Sequence, residues 1–193
     1  MKKMPTLFER DWSGDKSRVV NKVNPKAQWV IDGEGVATRK LEGTSCLIDD
    51  GVLFKRRELR KEGTPPDGFV LADHDEETGK TVGWMKVKRN AEDCWHREAF
   101  DQMSPKLDGT YELVGPKIQG NPERYENHRL IGHFSPAVAL PDTPPRTFDG
   151  LQEWLKGKDI EGIVWHHSDG RMAKIKLRDF GFKRLNSGKQ ANE

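Results

Sequence analysis

Lys40, Glu161, Lys174 and Lys176 are the residues of this 193-residue chain whose types could combine into chemistry. A lysine amine attacks an electrophile only after losing its proton, and nearby cations or removal from water favour that neutral form. Lys40 lies in Ala37-Thr38-Arg39-Lys40-Leu41-Glu42-Gly43-Thr44-Ser45, between two runs that read as strands. The other three lie on the clearest hairpin signal, Ile160 to His167 and Arg171 to Leu177 around Ser168-Asp169-Gly170.

With Asp169-Gly170 as a two-residue turn, Trp165 opposes Lys174, Ile163 opposes Lys176 and Glu161 opposes Arg178. Opposed residues share a face. One face then carries Glu161, Ile163, Trp165, Lys174, Lys176 and Arg178. The other, with Gly162, Val164, His166, Ala173, Ile175 and Leu177, reads as core. An apolar floor with one carboxylate and several cations suits a nucleotide, with its base on the floor, its phosphates at the lysines and a metal at the carboxylate. A solvated charged face is the plainer reading of the same spacing. An odd-length loop would exchange the faces of one strand.

The elements that must position these residues follow from turn and alternation signals. Gln28 to Ile31 reads as a strand, then Asp32-Gly33-Glu34-Gly35 as a turn. Thr44 to Ile48 and Val52 to Arg57 flank the hairpin turn Asp49-Asp50-Gly51. Residues 60–81 carry two prolines and a cluster of acids and read as a long mobile loop. Val82 to Val87, Thr110 to Gly115 and Leu130 to Phe134 read as strands, and residues 91–102 hold a short helix. Thr147 or Asp149 caps a helix through Leu151, Trp154 and Leu155, with Gly157 past its end. Leu7 and Phe8 anchor an edge strand within an otherwise irregular segment 1–28.

Composition narrows the setting. Apolar residues make up 34% and charged residues 33%, with net charge +2, so any polyanion contact must come from local clusters. One such cluster is Lys55-Arg56-Arg57 with Arg60 and Lys61, a phosphate track or a solvated edge. Two cysteines without a zinc-ligand spacing fit a reducing, cytoplasmic location. The start of the chain has no apolar signal core, and no run is long enough to span a bilayer, so no membrane association is expected. His166 and His167 are adjacent on a strand and point opposite ways, which does not suit shared metal binding.

In chain order the signals are Lys40-Leu-Glu-Gly43, basic Arg56, Tyr111-Glu112-Leu-Val-Gly115, Glu161-Gly-Ile-Val164 and Lys174-Ile-Lys176. This order resembles the covalent nucleotidyltransferase superfamily of polynucleotide ligases and mRNA capping enzymes. Its motifs I (KxDG or KxxG), III, IV (EGxV) and V (KxK) fall in that sequence, with Glu42 where motif I usually has Asp. Gly120-Asn121-Pro122, Val82-Gly83-Trp84, Cys94-Trp95-His96 and the run from Glu161 to Gly170 are similar to the single-domain 5′–3′ RNA ligase family of vertebrates and some viruses and bacteria. A second Lys-Leu-acid-Gly-Thr stretch begins at Lys106, only six residues before Glu112, which leaves no room for the strands between motifs I and III. Lys40 is therefore the nucleophile expected.

The resemblance implies an α+β fold: a nucleotidyltransferase (adenylation) domain of mostly antiparallel sheets with flanking helices, ATP-grasp-like, over residues 29–185, with 186–193 a flexible tail. It implies ATP as substrate with Mg²⁺, or Mn²⁺ in its place. Lys40 would take AMP from the α-phosphorus, with Lys174 and Lys176 as catalytic cations. The ATP-binding set would be Arg39, Gly43, Arg56, Glu112, Phe134, Glu161, Val164, Lys174 and Lys176. Within it, Glu112 binds the ribose, Arg56 the ribose or a 5′-phosphate, and Glu161 the metal. Phe134 and Val164 would enclose adenine, which a bulge near Gly162 would reconcile with the hairpin register above. The partner implied is RNA with 5′-phosphate and 3′-hydroxyl ends, joined by a monomer. A DNA ligase or capping enzyme and a non-catalytic RNA-binding relative are the alternatives. The 17 residues after Lys176 leave no space for the OB-fold that the former usually carry, and the intact motif residues weigh against the latter.

Overall fold

Asn24 and Pro25 set the first helical turn. In the computed structural model, which describes residues 4–59, 63–76 and 79–184, β1 (Phe8–Arg10) and β2 (Val19–Val23) pair antiparallel and lead into a 3-10 turn, Pro25–Ala27. Asn24 accepts a hydrogen bond from the Lys26 amide at 3.0 Å. Pro25 takes the first helical position, where its missing N–H would have had no partner. The turn continues into α1 (Gln28–Ile31), so the strand expected there is a helix. The β-branched Val30 and Ile31 favour extended chain, but the cap and proline before them dictate the start of a helix, and Trp29 and Val30 are buried by it.

Beyond α1 come β3 (Val36–Lys40), β4 (Thr44–Asp49) and β5 (Val52–Leu59). Asp50 and Gly51, with φ of 48° and 69°, close the β4–β5 hairpin in the left-handed conformation that a two-residue turn needs. Next, β6 (Phe69–Asp75) and β7 (Lys80–Lys86) form a hairpin where a long loop was expected. Phe69-Val70-Leu71 has the side chains of a strand, and of the acids that suggested a loop Asp73 and Asp75 lie in its second half and Glu76 in the turn. Arg60, Lys61 and the tail 186–193 lie outside the described residues. The remaining elements are α2 (Cys94–Asp101), β8 (Gly109–Val114), β9 (Arg129–Gly132), α3 (Phe148–Leu155), β10 (Gly162–His166) and β11 (Met172–Lys176).

The architecture is α+β, mostly antiparallel sheet with few short helices, in two compact units. The first, from Glu42 to Ala137, is a six-stranded antiparallel sheet in the order β6-β7-β5-β4-β8-β9. One face buries Cys46, Ile48, Leu53, Tyr111, Leu113 and Leu130 together with Ala99 of α2. The second unit, Met4–Leu41 with Val138 onward, holds the β1–β2 pair and a three-stranded sheet, β11-β10-β3. Leu7, Phe8, Trp29, Leu151, Ile163, Trp165, Ile175 and Phe180 fill its core, with Phe148 edge-on to both Phe8 and Phe180. Among the described residues no helix is long and apolar enough to cross a membrane.

The β10–β11 register differs by one residue from the expected one. Val164 opposes Lys174, Gly162 opposes Lys176, and Ile163 opposes Ile175. The loop is of odd effective length: His167 pairs back to Arg171 through its amide, and Gly170 takes φ 89°. One strand's faces are thereby exchanged. Ile163 and Trp165 are fully buried in the core rather than forming an open floor.

Candidate active site

Sheet β11-β10-β3 brings Lys40, Lys176 and Lys174 onto one face. Lys40, Gly162 and Lys176 form one row across the three strands, and Thr38, Val164 and Lys174 the next. Gly162 separates the two lysines of the first row. A Cβ there would lie 2.1 Å from the Ile175 carbonyl oxygen, so only glycine permits this close approach of β10 to β11. Arg39 belongs to the row of Ile163 and Ile175, on the face opposite Lys40.

Glu161, just before β10, joins the row ends. Its Oε2 accepts from Lys40 Nζ at 2.6 Å, and its Oε1 accepts from Lys176 Nζ. All three side chains are 13–17% exposed. Burial alone would raise the Glu161 carboxyl, but Lys40 and Lys176 outweigh it and hold the group below the ordinary carboxylate range. Lys174 behaves in the opposite way. Burial first, then the charges of Lys176 and Lys40, push its amine down from 10.5 to about 8, against the opposing pull of Asp179 and Glu161.

Three ammonium groups around one carboxylate leave surplus positive charge. Such a cluster can receive phosphates, and Lys40 Nζ is its potential nucleophile once deprotonated. As a metal site it is sparse. Both Glu161 oxygens are engaged by lysines, and among the described residues no group of three or more His, Cys, Asp or Glu side chains is arranged to hold a metal ion. The donor set suits Mg²⁺ held by one carboxylate with phosphate and water oxygens, not a metal caged by protein alone.

The six-stranded unit carries the other expected residues. Glu112, on β8, is 9% exposed and opposes Ser45 and Ile131. Its Oε2 lies 3.1 Å from His133 Nε2, and His133 Nδ1 lies 3.0 Å from Thr110 Oγ1. Gly43 packs so close to β8 that a Cβ would meet the Leu113 carbonyl oxygen at 2.2 Å and Glu112 Cγ at 2.8 Å. Arg56 opposes Trp84, and its Nε is buried with no hydrogen-bond partner among the described residues; the same holds for Ser45 Oγ. Arg56, Ser45 and Glu112 share one face of the sheet, the face away from Cys46 and Tyr111. Phe134 stands just past β9 and is 74% exposed. Lys106 lies 4.4 Å from the centre of the Phe100 ring, on a loop before β8.

Sequence reasoning missed four participants. Asp179 is fully buried and accepts the Lys176 amide and Arg10 Nη1, both at 2.8 Å. Its position three residues after Lys176, at the start of a helical turn, was the available signal. Arg10 lay in a segment without motifs. His133 and Thr110 meet Glu112 only through the pairing of β8 with the chain after β9.

The family model for RNA ligase 1 matches residues 101–191, which include Glu112, Phe134, Glu161, Lys174 and Lys176 but not Lys40. Curated RNA ligase 1 proteins are similar to the chain: that of Pongo abelii is 30% identical over 139 residues, covering 55% of this chain and 42% of the relative. The Rattus norvegicus protein is 28% identical over 139 residues, with the same coverage. The Danio rerio protein is 25% identical over 142 residues, covering 56% and 43%. The chain spans less than half the length of the curated relatives it matches. A family model over residues 101–191 and curated relatives over part of the chain thus support, at modest identity, similarity to an RNA ligase family.

Proposed function

We propose that the chain is the adenylation domain of an ATP-dependent RNA ligase, with a nucleotidyltransferase, ATP-grasp-like fold. The observation that carries this reading is the bridge of Lys40 and Lys176 across Glu161, with Lys174 as a third cation. In the first step Lys40 Nζ, having lost its proton, attacks the α-phosphorus of ATP. The bond to the β-phosphate oxygen breaks, pyrophosphate leaves, and AMP is held on Lys40 as a phosphoramidate. Charge develops on phosphate oxygens, so Lys174 and Lys176, fixed beforehand on β11, stabilise the transition state. Glu161 orients Lys40 and is the acceptor nearest to its proton, 2.6 Å away.

AMP then passes to the 5′-phosphate of an RNA end. A 3′-hydroxyl attacks that phosphate, AMP departs, and the strand is sealed. In this scheme Glu112 holds the ribose, Arg56 the ribose or the 5′-phosphate, and Val164 and Phe134 the adenine. Gly43, packed against Leu113 and Glu112, belongs to the same ATP-binding set, whereas Arg39, expected in it, lies on the face of β3 opposite Lys40. Glu161 would hold Mg²⁺, which supplies Lewis-acid neutralisation of phosphate charge when bound.

The test is incubation with α-labelled ATP and Mg²⁺. Label is expected on wild-type protein and on Lys106→Ala, and none on Lys40→Ala. An unlabelled wild type refutes the proposal, and label on Lys40→Ala refutes the choice of nucleophile. Sealing of 5′-phosphorylated RNA nicks is expected, and preference for an all-DNA nick would move the substrate to DNA while leaving the first step intact.

A further inference from the structure

The N-terminal strand reaches the lysine-bearing strand β11 at two places. The Lys174 amide donates to the Pro5 carbonyl at 3.0 Å, and the Leu7 amide donates to the Lys174 carbonyl at 2.8 Å, so Thr6 bridges Lys174 in parallel. Leu7 and Phe8 then bury completely in the core beneath β10 and β11. Two residues on, Arg10 donates through Nη1 to Asp179 Oδ1 at 2.8 Å and to the Ser17 carbonyl at 2.9 Å. Asp179 in turn accepts the Lys176 amide. The backbone of Lys174 and that of Lys176 are therefore each held by this segment, one directly and one through a buried carboxylate. A carboxylate with no exposure is retained only where both oxygens are satisfied, and Arg10 supplies the charge partner. The match to the RNA ligase 1 family model begins at residue 101 and includes none of this segment.

We propose that Pro5–Arg10 belongs to the catalytic module and that Arg10, acting through Asp179, is the positioning residue for Lys176, while the Pro5 and Leu7 backbone holds Lys174. This rests on the adenylation reading above for its consequence in catalysis. The physical claim is that the segment fixes the direction of β11. Lys176 reaches Glu161 only if its backbone is anchored, and Glu161 holds Lys40 by its other oxygen. Release of Asp179 from Arg10 loosens the anchor without removing any group that touches phosphate.

The experiment compares wild type, Arg10→Met, Arg10→Lys and Lys22→Met. Lys22 forms a surface ion pair with Glu9 on the neighbouring strand and serves as control. Two quantities are read on folded protein: the protein-adenylation rate, resolved into KM for ATP and rate at saturation, and the acylation rates of Lys174 and Lys176 by an amine reagent, followed by peptide mass mapping. Arg10→Met is expected to slow adenylation at saturation by about tenfold or more with KM changed less than about threefold, the pattern of a mispositioned group. Acylation of Lys176 is expected to rise several-fold as it leaves Glu161. Arg10→Lys keeps a cation for Asp179 and recovers most of both values, and Lys22→Met matches wild type in both. Wild-type rates and lysine reactivities in Arg10→Met overturn the proposal, as does an Arg10→Lys protein no better than Arg10→Met. Should Arg10→Met not fold, Arg10→Gln takes its place in the same comparison. If wild type takes no label, the adenylation reading fails, while the acylation rates still decide whether Arg10 holds Lys176.

Discussion

Replacing Lys174 with methionine should make the protein more stable at neutral pH while removing a phosphate-binding charge. Lys174 is confined with Lys40 and Lys176, and its amine titrates at about 8 rather than 10.5. Each pH unit of displacement corresponds to about 1.4 kcal/mol, so keeping this ammonium charged at pH 7 costs the fold about 3 kcal/mol. Methionine has similar length and no charge, so most of that cost should be recovered, about 2–3 kcal/mol. The pH dependence fixes the sign. Below pH 8 the group is charged in both folded and unfolded chains, and the penalty is present in full. Between about 8 and 10.5 the unfolded chain binds the extra proton, so stability of wild type rises with pH. Above that window both states are neutral and the penalty is gone. Urea unfolding of both proteins from about pH 6 to about pH 10.5 should show Lys174→Met ahead at the low end and the two curves converging through the window. A wild type as stable as the variant at pH 7, or a gap that does not narrow on raising pH, would refute the claim that this lysine is held charged against its surroundings.

Three further perturbations test other parts of the site. Glu161→Gln leaves Lys40 and Lys176 without their shared carboxylate and should lower stability by about 2–3 kcal/mol in urea unfolding at pH 7. Its effect should vanish in acid, because Glu161 is held below the ordinary carboxylate range and its stabilisation is lost as pH falls through that lowered value. Gly162→Ala places a methyl 2.1 Å from the Ile175 carbonyl oxygen and should cost about 3 kcal/mol through strand separation, read as a lower Tm; an unchanged Tm would show that β10 and β11 are not in this close contact. Lys106→Ala should lose only the contact over Phe100, about 0.5–1 kcal/mol, with protein labelling by α-labelled ATP unchanged.

How much of this was legible in the sequence depends on which signals are local. The turn at Asp50-Gly51, the helix from Phe148 to Leu155 and the strand that begins at Thr44 are set by neighbours along the chain, and they lie where their residues indicate. Helix α1 was hidden because Val30 and Ile31 carry strand preferences, while the decisive Asn24-Pro25 start lies upstream of them. Strand β6 was hidden by the acids in its second half and its turn, since composition over a window averages a strand with its turn. The partners of the site were the least legible. Arg10 and Asp179 are 169 positions apart and reveal themselves only when Pro5, Leu7 and Lys174 share backbone bonds.

The hairpin register shows why motif order can carry more information than alternation. Reading strands in steps of two assigns faces only after the loop has been counted, and a one-residue change inverts the assignment for one strand. The pattern Glu161-Gly162-Ile163-Val164 is independent of the loop. It demands a small residue wherever β10 meets the row of Lys40 and Lys176, and Gly162 alone among its neighbours fits against the Ile175 carbonyl. Once Gly162 is fixed in that row, Val164 must share its face with Lys174, and Ile163 and Trp165 must turn into the core. No bulge is needed for this, since β10 pairs with β3 and β11 without interruption from Gly162 to His166. The close packing that excludes a side chain at Gly162 is therefore what leaves Glu161 to bridge the two flanking lysines, and a β-carbon at that position should disturb the lysine spacing before it disturbs the rest of the sheet.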